Sequence, residues 1–439
     1  MITYSKIGKK GNLGNQLFQI ASTIGLATTC NFDYGFLEWK YQCYFKNKLP
    51  SMNCDAREMT VSEEQFYNYH DWNFEKGNYD LSGWLQTEKY FDVALTKYYF
   101  QFKDDLIQSI KEKYINAFDK KTILISIRRG DFVNHPDYFQ TSIKYYLNSL
   151  EKFFPDWESK NLIILSDDIN YCKFHFSFLE NVFFGEDLIA VEQLCLGSLC
   201  DDFIIGNSTF SWWSAWLGEK EESKIIRPFK NFIGAKSLEH NDKDYFPERW
   251  IRYNHLNNKI NLGDIVFCVR SDKNRAILEN YILSFFDAKV DINPMKIENY
   301  NKIYVFEEDY ILPPVLIYHS CLKINNWKDR KVINDVKNIF GVSKKLNYLE
   351  FVEQSDFGLF SNIFSFSSCC TRNNNNVYLE NQAFLEENLK FISFPHETII
   401  GCSVGKLLEI GGYSFSFNRY TKKIKIKIKK HIKNALSIK

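Results

Sequence analysis

The sequence predicts an α/β protein built on a parallel sheet with both faces covered, and three observations carry that prediction. From residue 121 onward, short apolar runs alternate with amphipathic stretches across connections of only a few residues. Three of those runs end in polar clusters: RRGD at 128–131, SDD at 166–168 and NSTFS at 207–211. On either side of this regular stretch the alternation is looser. The 439 residues therefore divide into more than one folding unit.

Taken in order, the chain opens with the apolar run ITYSKI and then GKKGNLGNQLFQIAS, from Gly8 to Ser22. This reads as a strand, a glycine turn and a helix start, where free backbone N–H groups suit an anion or a sugar hydroxyl. The spacing fits neither the dinucleotide fingerprint nor a P-loop, so an ordinary strand-to-helix turn stays open as a reading. Residues 1–120 form a looser α/β half that contains LSGWLQTEKYF. Within 121–256, strands are expected at 122–127, 162–165, 181–184, 203–205 and 224–227. Helices are expected at 141–153 and 188–199, with a further one capped by Ser208 or Thr209. Two such halves would form a cleft at the carboxyl ends of their strands.

The pattern restarts after a polar boundary at 253–262, giving a second α/β unit over 257–419. There DIVFCVR (264–270), IYVFEED, VLIYHS and FISFP read as strands, while 274–286 and 397–410 read as helices. Glu307, Glu308 and Asp309 end one of these strands. They allow a metal-dependent second site, although a docking module is the plainer reading. The last stretch, 420–439 (YTKKIKIKIKKHIKNALSIK), places Ile424, Ile428, Ile432 and Leu436 on one helical side among lysines. A basic amphipathic helix favours an anionic membrane surface, which is the preferred reading over a solvated tail, and the Ile-Lys alternation also suits an edge strand.

Composition narrows the function. A formal charge of +1 gives the chain no overall field for nucleic acid. The 11 cysteines are odd in number and form no CxxC pair, so reduced thiols are expected. No leader-like start appears and no run approaches the roughly 20 apolar residues that span a bilayer. The reading is a soluble or peripheral protein kept in the cytoplasm.

The three polar clusters carry the chemistry. Arg128 and Arg129 leave a buried strand, where twin guanidinium groups call for anions or partner carboxylates. Asp131 would orient one of them, most simply Arg129. Asp167 and Asp168 suit a cation, a hydrogen-bonded ligand edge such as guanine, or the cap of the next helix. Asn207, Ser208, Thr209 and Ser211 at a helix start suit a diphosphate. Trp212, Trp213 and Trp216 exceed what one helix–sheet contact requires. Basic, carboxylate and hydroxyl groups at successive strand ends describe a nucleotide-diphosphate site. A nucleotide-binding regulator would not need the sugar-end loop GNLGNQ, and a carbohydrate-binding module would not need RRGD and SDD.

GNLGNQLFQIA, RRGD, SDD and NSTFSWWSAWL together resemble the bacterial α-1,2-fucosyltransferases of glycosyltransferase family eleven, as do WLQTEKYF and YFPERW. The resemblance covers residues 1 to about 255. It implies a GT-B-like transferase of two Rossmann-like lobes, with an acceptor-side lobe at 1–120 and a GDP-sugar lobe at 121–256. It also implies metal-free, inverting transfer of fucose from GDP-fucose to a galactose 2-hydroxyl, in surface-polysaccharide assembly at the inner face of a bacterial membrane. By the same resemblance Arg128, with Arg129 beside it, grips the diphosphate, and Asp168 with Asp167 reads guanine. Asn207, Ser208, Thr209 and Ser211 cradle the diphosphate, while Gly11, Asn12, Gly14, Asn15 and Gln16 face the donor sugar and acceptor. For the catalytic base, Asp131 and His135 are nearest by sequence. The family's usual histidine two residues before the first arginine is Ser126 here. Deleting 420–439 is expected to move the protein from membrane to soluble fractions, and unchanged fractionation would refute membrane contact by the tail.

Overall fold

The computed structural model describes residues 1–270 apart from 54 and 134, then 275–291, 302–307, 310–311, 313–325, 339–340, 368–372, 398–399 and 402–403. Residues 420–439, FISFP, Glu308 and Asp309 lie outside the described residues.

The N-terminal lobe is small. Strands β1 (Ile2–Thr3), β2 (Thr60–Glu63) and β3 (Tyr79–Ser82) form a parallel sheet in the order β1-β3-β2. Helix α1 (Leu13–Thr29) follows β1 and is buried along nearly its whole length, which fits its continuous apolar sequence. Helices α2 (Val93–Tyr99) and α3 (Asp104–Lys113) close the lobe.

The second lobe is a six-stranded parallel sheet. In chain order its elements are β4 (Thr122–Ile127), α4 (Ile143–Phe153), β5 (Asn161–Ser166), α5 (Ile169–Phe176), β6 (Val182–Phe184) and α6 (Ala190–Ser198). Then come β7 (Asp202–Ile205), α7 (Thr209–Gly218), β8 (Ile225–Pro228), the single turn α8 (Lys236–Glu239) and β9 (Ile251–Tyr253). The spatial order is β6-β5-β4-β7-β8-β9. Numbered within the lobe this is 3-2-1-4-5-6, the doubly wound order that reverses between β4 and β7. All six residues of β4 are buried, as a central strand covered on both faces requires. Helix α5 and strand β9 join the elements expected from sequence.

Two family-like motifs fasten the lobes together. Arg249 of YFPERW bonds Glu88 of LQTEKYF at 2.5 Å and Glu219 at 2.7 Å. Lys89 meets Asp244 at 2.6 Å.

The C-terminal unit has a sheet of β10 (Ile260–Arg270), β11 (Phe286–Asp291) and β12 (Lys302–Glu307), all parallel, with an antiparallel fourth strand at Ser368–Arg372. Helix α9 (Arg275–Phe285) matches expectation, but VLIYHS lies inside helix α10 (Pro314–Asn325) and is not a strand. Pro314 occupies the first helical position, where its missing N–H costs nothing, and a four-residue apolar run cannot by itself separate strand from helix. Short strands at Thr398–Ile399 and Cys402–Ser403 likewise stand where a helix over 397–410 was expected. The apolar face of α10 shares one core with α4 and α5, where Trp157 and Tyr318 lie 6.5 Å apart. Cutting the chain after 256 would therefore bare part of the second lobe's core.

Candidate active site

Because β5, β4 and β7 are adjacent and parallel, their carboxyl ends bring SDD, RRGD and NSTFS to one edge of the sheet. The loops after β4 and β7 flank the point where strand order reverses, the place at which such sheets hold ligands. Helix α7 starts there with Ser208 as its cap, the Ser208 hydroxyl accepting from the Ser211 N–H at 3.1 Å. Helix α1 of the other lobe starts beside it. A Cβ on Gly14 would lie 2.7 Å from the Phe210 nitrogen and the Thr209 carbonyl carbon, so only glycine permits this approach. Two helix N-termini, each a concentration of free N–H groups and positive dipole, thus face one cavity.

The cavity has a volume of 690 Å³, within the range of small-molecule sites. Arg128 enters it between two carboxylates, bonded to Asp131 Oδ1 at 2.5 Å and to Asp167 Oδ2 at 3.0 Å. Asp131 thus fixes Arg128 and not Arg129. Lys40 and Lys236 add two more cations to the wall. Asn12, Gly14, Asn15, Asn207, Ser208, Thr209 and Ser211 also line it.

Two expected ligand groups are not brought there. Arg129 is 3% exposed, pairs with Asp168 at 3.0 Å and lies 3.7 Å from the Tyr171 ring centroid. Asp168 caps α5 by accepting from the Tyr171 N–H, and neither residue lines the cavity. The chain turns as it leaves each strand, so the first member of each charged pair faces the cavity; of the second members Arg129 is buried, while Asp168 lies partly exposed at the start of α5. Gln16 lines the cavity, but its amide is committed at both ends, donating to the Gly11 carbonyl and accepting from the Trp39 indole, each at 2.9 Å. It shapes the loop, and Gly11, with φ of +79°, supplies the left-handed turn. His135 lies outside the cavity wall and accepts from the Asp137 N–H at Nδ1. Among lining residues the histidine is His240. Trp212, Trp213 and Trp216 are buried, joining α7 to Phe18 of α1 and to Phe91, so they bind lobe to lobe and not ligand.

Ser126 is buried on β4, its hydroxyl 2.7 Å from that of Ser211, which in turn lies 2.8 Å from that of Ser208. This chain of hydroxyls occupies the space into which a larger side chain at 126 would project. Sequence reasoning missed a second network. Asn15 accepts from Gln86, Gln86 accepts from Tyr67, Asn231 donates to the Tyr67 hydroxyl, and Asn207 donates to the Asn231 carbonyl. The relay runs from the first turn of α1 to the loop before α7. Burial pushes the phenols of Tyr67 and Tyr245 well above their ordinary range, so both stay neutral donors. Asn207 Oδ1 is buried with no hydrogen-bond partner, leaving an acceptor that a ligand donor would satisfy. Gln86 belongs to the quoted motif WLQTEKYF, but no sequence signal marks Tyr67 or Asn231. Among the described residues no group of three or more His, Cys, Asp or Glu side chains is placed to hold a metal, and no helix is long and apolar enough to cross a membrane.

Such a switch-point cavity, between a doubly wound lobe and a second lobe, stands where open α/β sheets hold their ligands, and its two helix N-termini suit a phosphate-bearing one. The chain belongs to glycosyl transferase family 11, whose family model matches residues 2–254. It is 27% identical over 293 residues to an α-1,2-colitosyltransferase of Escherichia coli, covering 55% of this chain and 96% of that protein. It is 29% identical over 154 residues to the O-antigen biosynthesis glycosyltransferase WbnK of Escherichia coli, covering 31% and 48%. A galactoside 2-alpha-L-fucosyltransferase of Caenorhabditis elegans is 23% identical over 272 residues, covering 55% and 76%. Among solved structures, POFUT1 in complex with GDP aligns at a TM-score of 0.35 and 13% identity, covering 51% of this chain and 97% of that one. Fucosyltransferase NodZ from Bradyrhizobium aligns at 0.33 and 11%, covering 48% and 91%. Both structural likenesses are distant.

If Arg128 is the anion clamp, Arg128→Ala raises the Kd for GDP by ten- to a hundred-fold, equivalent to roughly 1.5–3 kcal/mol for charge-assisted hydrogen bonds. Arg129→Ala instead lowers the melting temperature, because it empties the buried space where the guanidinium packs on Tyr171 and pairs with Asp168. Calorimetric titration and thermal unfolding of both variants check this, and an unchanged Kd in Arg128→Ala contradicts it.

Proposed function

We propose that the protein transfers L-fucose from GDP-fucose to the 2-hydroxyl of a galactose residue in a cell-surface glycan, with inversion at the fucose anomeric carbon. The observation that supports it best is Arg128, held by two carboxylates beside the N-terminus of α7, in a chain of family 11. In this reading the donor's diphosphate lies against Arg128 and the free N–H groups of Thr209 and Phe210. The bond between the sugar and the β-phosphate breaks, and the charge that develops on the leaving GDP is met by groups already in place. Asp131 and Asp167 keep the guanidinium aimed. The acceptor hydroxyl attacks the opposite face of the sugar, which gives inversion, and surrenders its proton to a base. Gly11, Asn12, Gly14 and Asn15 border the sugar end, while Arg129 and Asp168 act through the shape of the loops. Lipopolysaccharide or capsule assembly on the inner face of the cytoplasmic membrane is the proposed setting, with 420–439 against anionic lipid.

A second donor is favoured by one finding, the similarity to an α-1,2-colitosyltransferase. Donor choice among such sugars rests on a few contacts. The test is transfer from GDP-fucose and from GDP-colitose to a panel of β-galactosides with EDTA present, the linkage being mapped by NMR. An α-1,2-fucosyl product formed in EDTA is expected. Transfer from GDP-colitose alone would replace the donor, and a product linked at another hydroxyl would overturn the acceptor position.

A further inference from the structure

Six described tryptophans, Trp39, Trp157, Trp212, Trp213, Trp216 and Trp250, are at most 4% exposed. Trp84 is 38% exposed and stands in the cavity wall. An indole offers a large flat apolar face with one polar edge, which suits a ligand that is itself apolar on one side and polar on the other.

The loop that carries Trp84 is held with unusual thoroughness. The Tyr4 hydroxyl donates to the Gly83 carbonyl at 2.8 Å. The Glu64 carboxylate spends both oxygens on the loop, accepting from the N–H of Trp84 at 2.7 Å and of Leu85 at 3.0 Å. Ser22 on α1 donates to the Leu85 carbonyl at 2.9 Å, and Gln86 is fixed between Asn15 and Tyr67. Burial pushes the Glu64 carboxyl up to about 7, and the two N–H groups partly offset that rise. Leu85 is fully buried with φ of 55°, a left-handed conformation that a non-glycine residue adopts only when its surroundings impose it. With Leu85 turned inward, Trp84 is left facing the cavity. The Lys10 ammonium, from the loop before α1, stands 4.7 Å from its ring centroid. Strain and polar bonding are thus invested in presenting one aromatic face.

Trp84 belongs to the N-terminal lobe, whereas Arg128 and α7 belong to the doubly wound lobe. Resting on the functional reading above, we propose that Trp84 is the platform on which the acceptor galactose stacks, and so a specificity-determining residue for the transfer. The axial 4-hydroxyl of a β-galactoside leaves the hydrogens of C3, C4 and C5 on one apolar face, which suits an indole. Asn15, whose side chain also lines the cavity, and the Lys10 ammonium beside the ring suit its hydroxyls.

The test is binding of methyl β-galactoside to the full chain in the presence of GDP, read by saturation-transfer NMR, so that turnover is not required. Wild type and Trp84→Phe are expected to give the signal, Trp84→Ala to lose at least ten-fold in affinity, and GDP affinity to stay within two-fold as the check on folding. Galactoside binding that is absent in wild type, or equal in Trp84→Ala, overturns the platform. Trp84-dependent binding without fucose transfer supports the platform and instead removes the donor assignment. Loss of GDP affinity in both variants with galactoside binding retained would place the indole on the donor, again overturning the proposal.

Discussion

The close contact between α1 and α7 is the constraint on which the remaining features depend. It requires Gly14, because any side chain there would meet the backbone of Thr209 and Phe210. It is sealed by Phe18 against Trp212 and Trp213, with ring centroids 4.5 and 5.1 Å apart. Loss of such packed aromatics costs on the order of 3–5 kcal/mol each. Without this contact the two helix N-termini would face separate solvent, and neither would border an enclosed cavity. The ion pairs from Arg249 and Lys89 bridge the same lobes at their edge, so one rigid joint fixes both the cleft and its electrostatics.

Within that cleft, adjacent like residues do opposite work. Arg128 is held in the cavity wall by Asp131 and Asp167, while Arg129 is buried against Asp168 and Tyr171. The Arg129 guanidinium is buried and Asp168 is its carboxylate partner, so the two form a structural unit, weakened by the solvent that reaches Asp168. That unit also fixes the clamp, since the Arg129 N–H donates to Asp167 Oδ1 at 2.8 Å. The loops after β4 and β5 are therefore one object, with a polar face toward the cavity and an ion pair behind it.

Much of this was legible in the sequence. Strands β4, β5 and β7 read as continuous apolar runs because both their faces are covered. The charged and hydroxyl clusters stand out because they end those runs. Which member of RRGD or SDD lines the cavity was not legible, because that depends on how each loop turns after its strand. The tryptophans of α7 exceed one helix–sheet contact in sequence, and the second contact, a lobe joint, appears only once α1 lies beside them. Tyr67 and Asn231 come from segments with no periodic or motif signal, and only the tertiary fold brings them to the wall. VLIYHS shows the familiar ambiguity of a short apolar run, resolved by Pro314 and by the core it shares with α4 and α5.

The central claim is that Arg128 and the start of α7 together form the diphosphate site. A crystal structure of the full chain with GDP bound tests it most directly. The account predicts diphosphate oxygens within hydrogen-bonding distance of the Arg128 guanidinium and of the Thr209 or Phe210 N–H. A diphosphate held elsewhere, with Arg128 still bound only by Asp131 and Asp167, would contradict it.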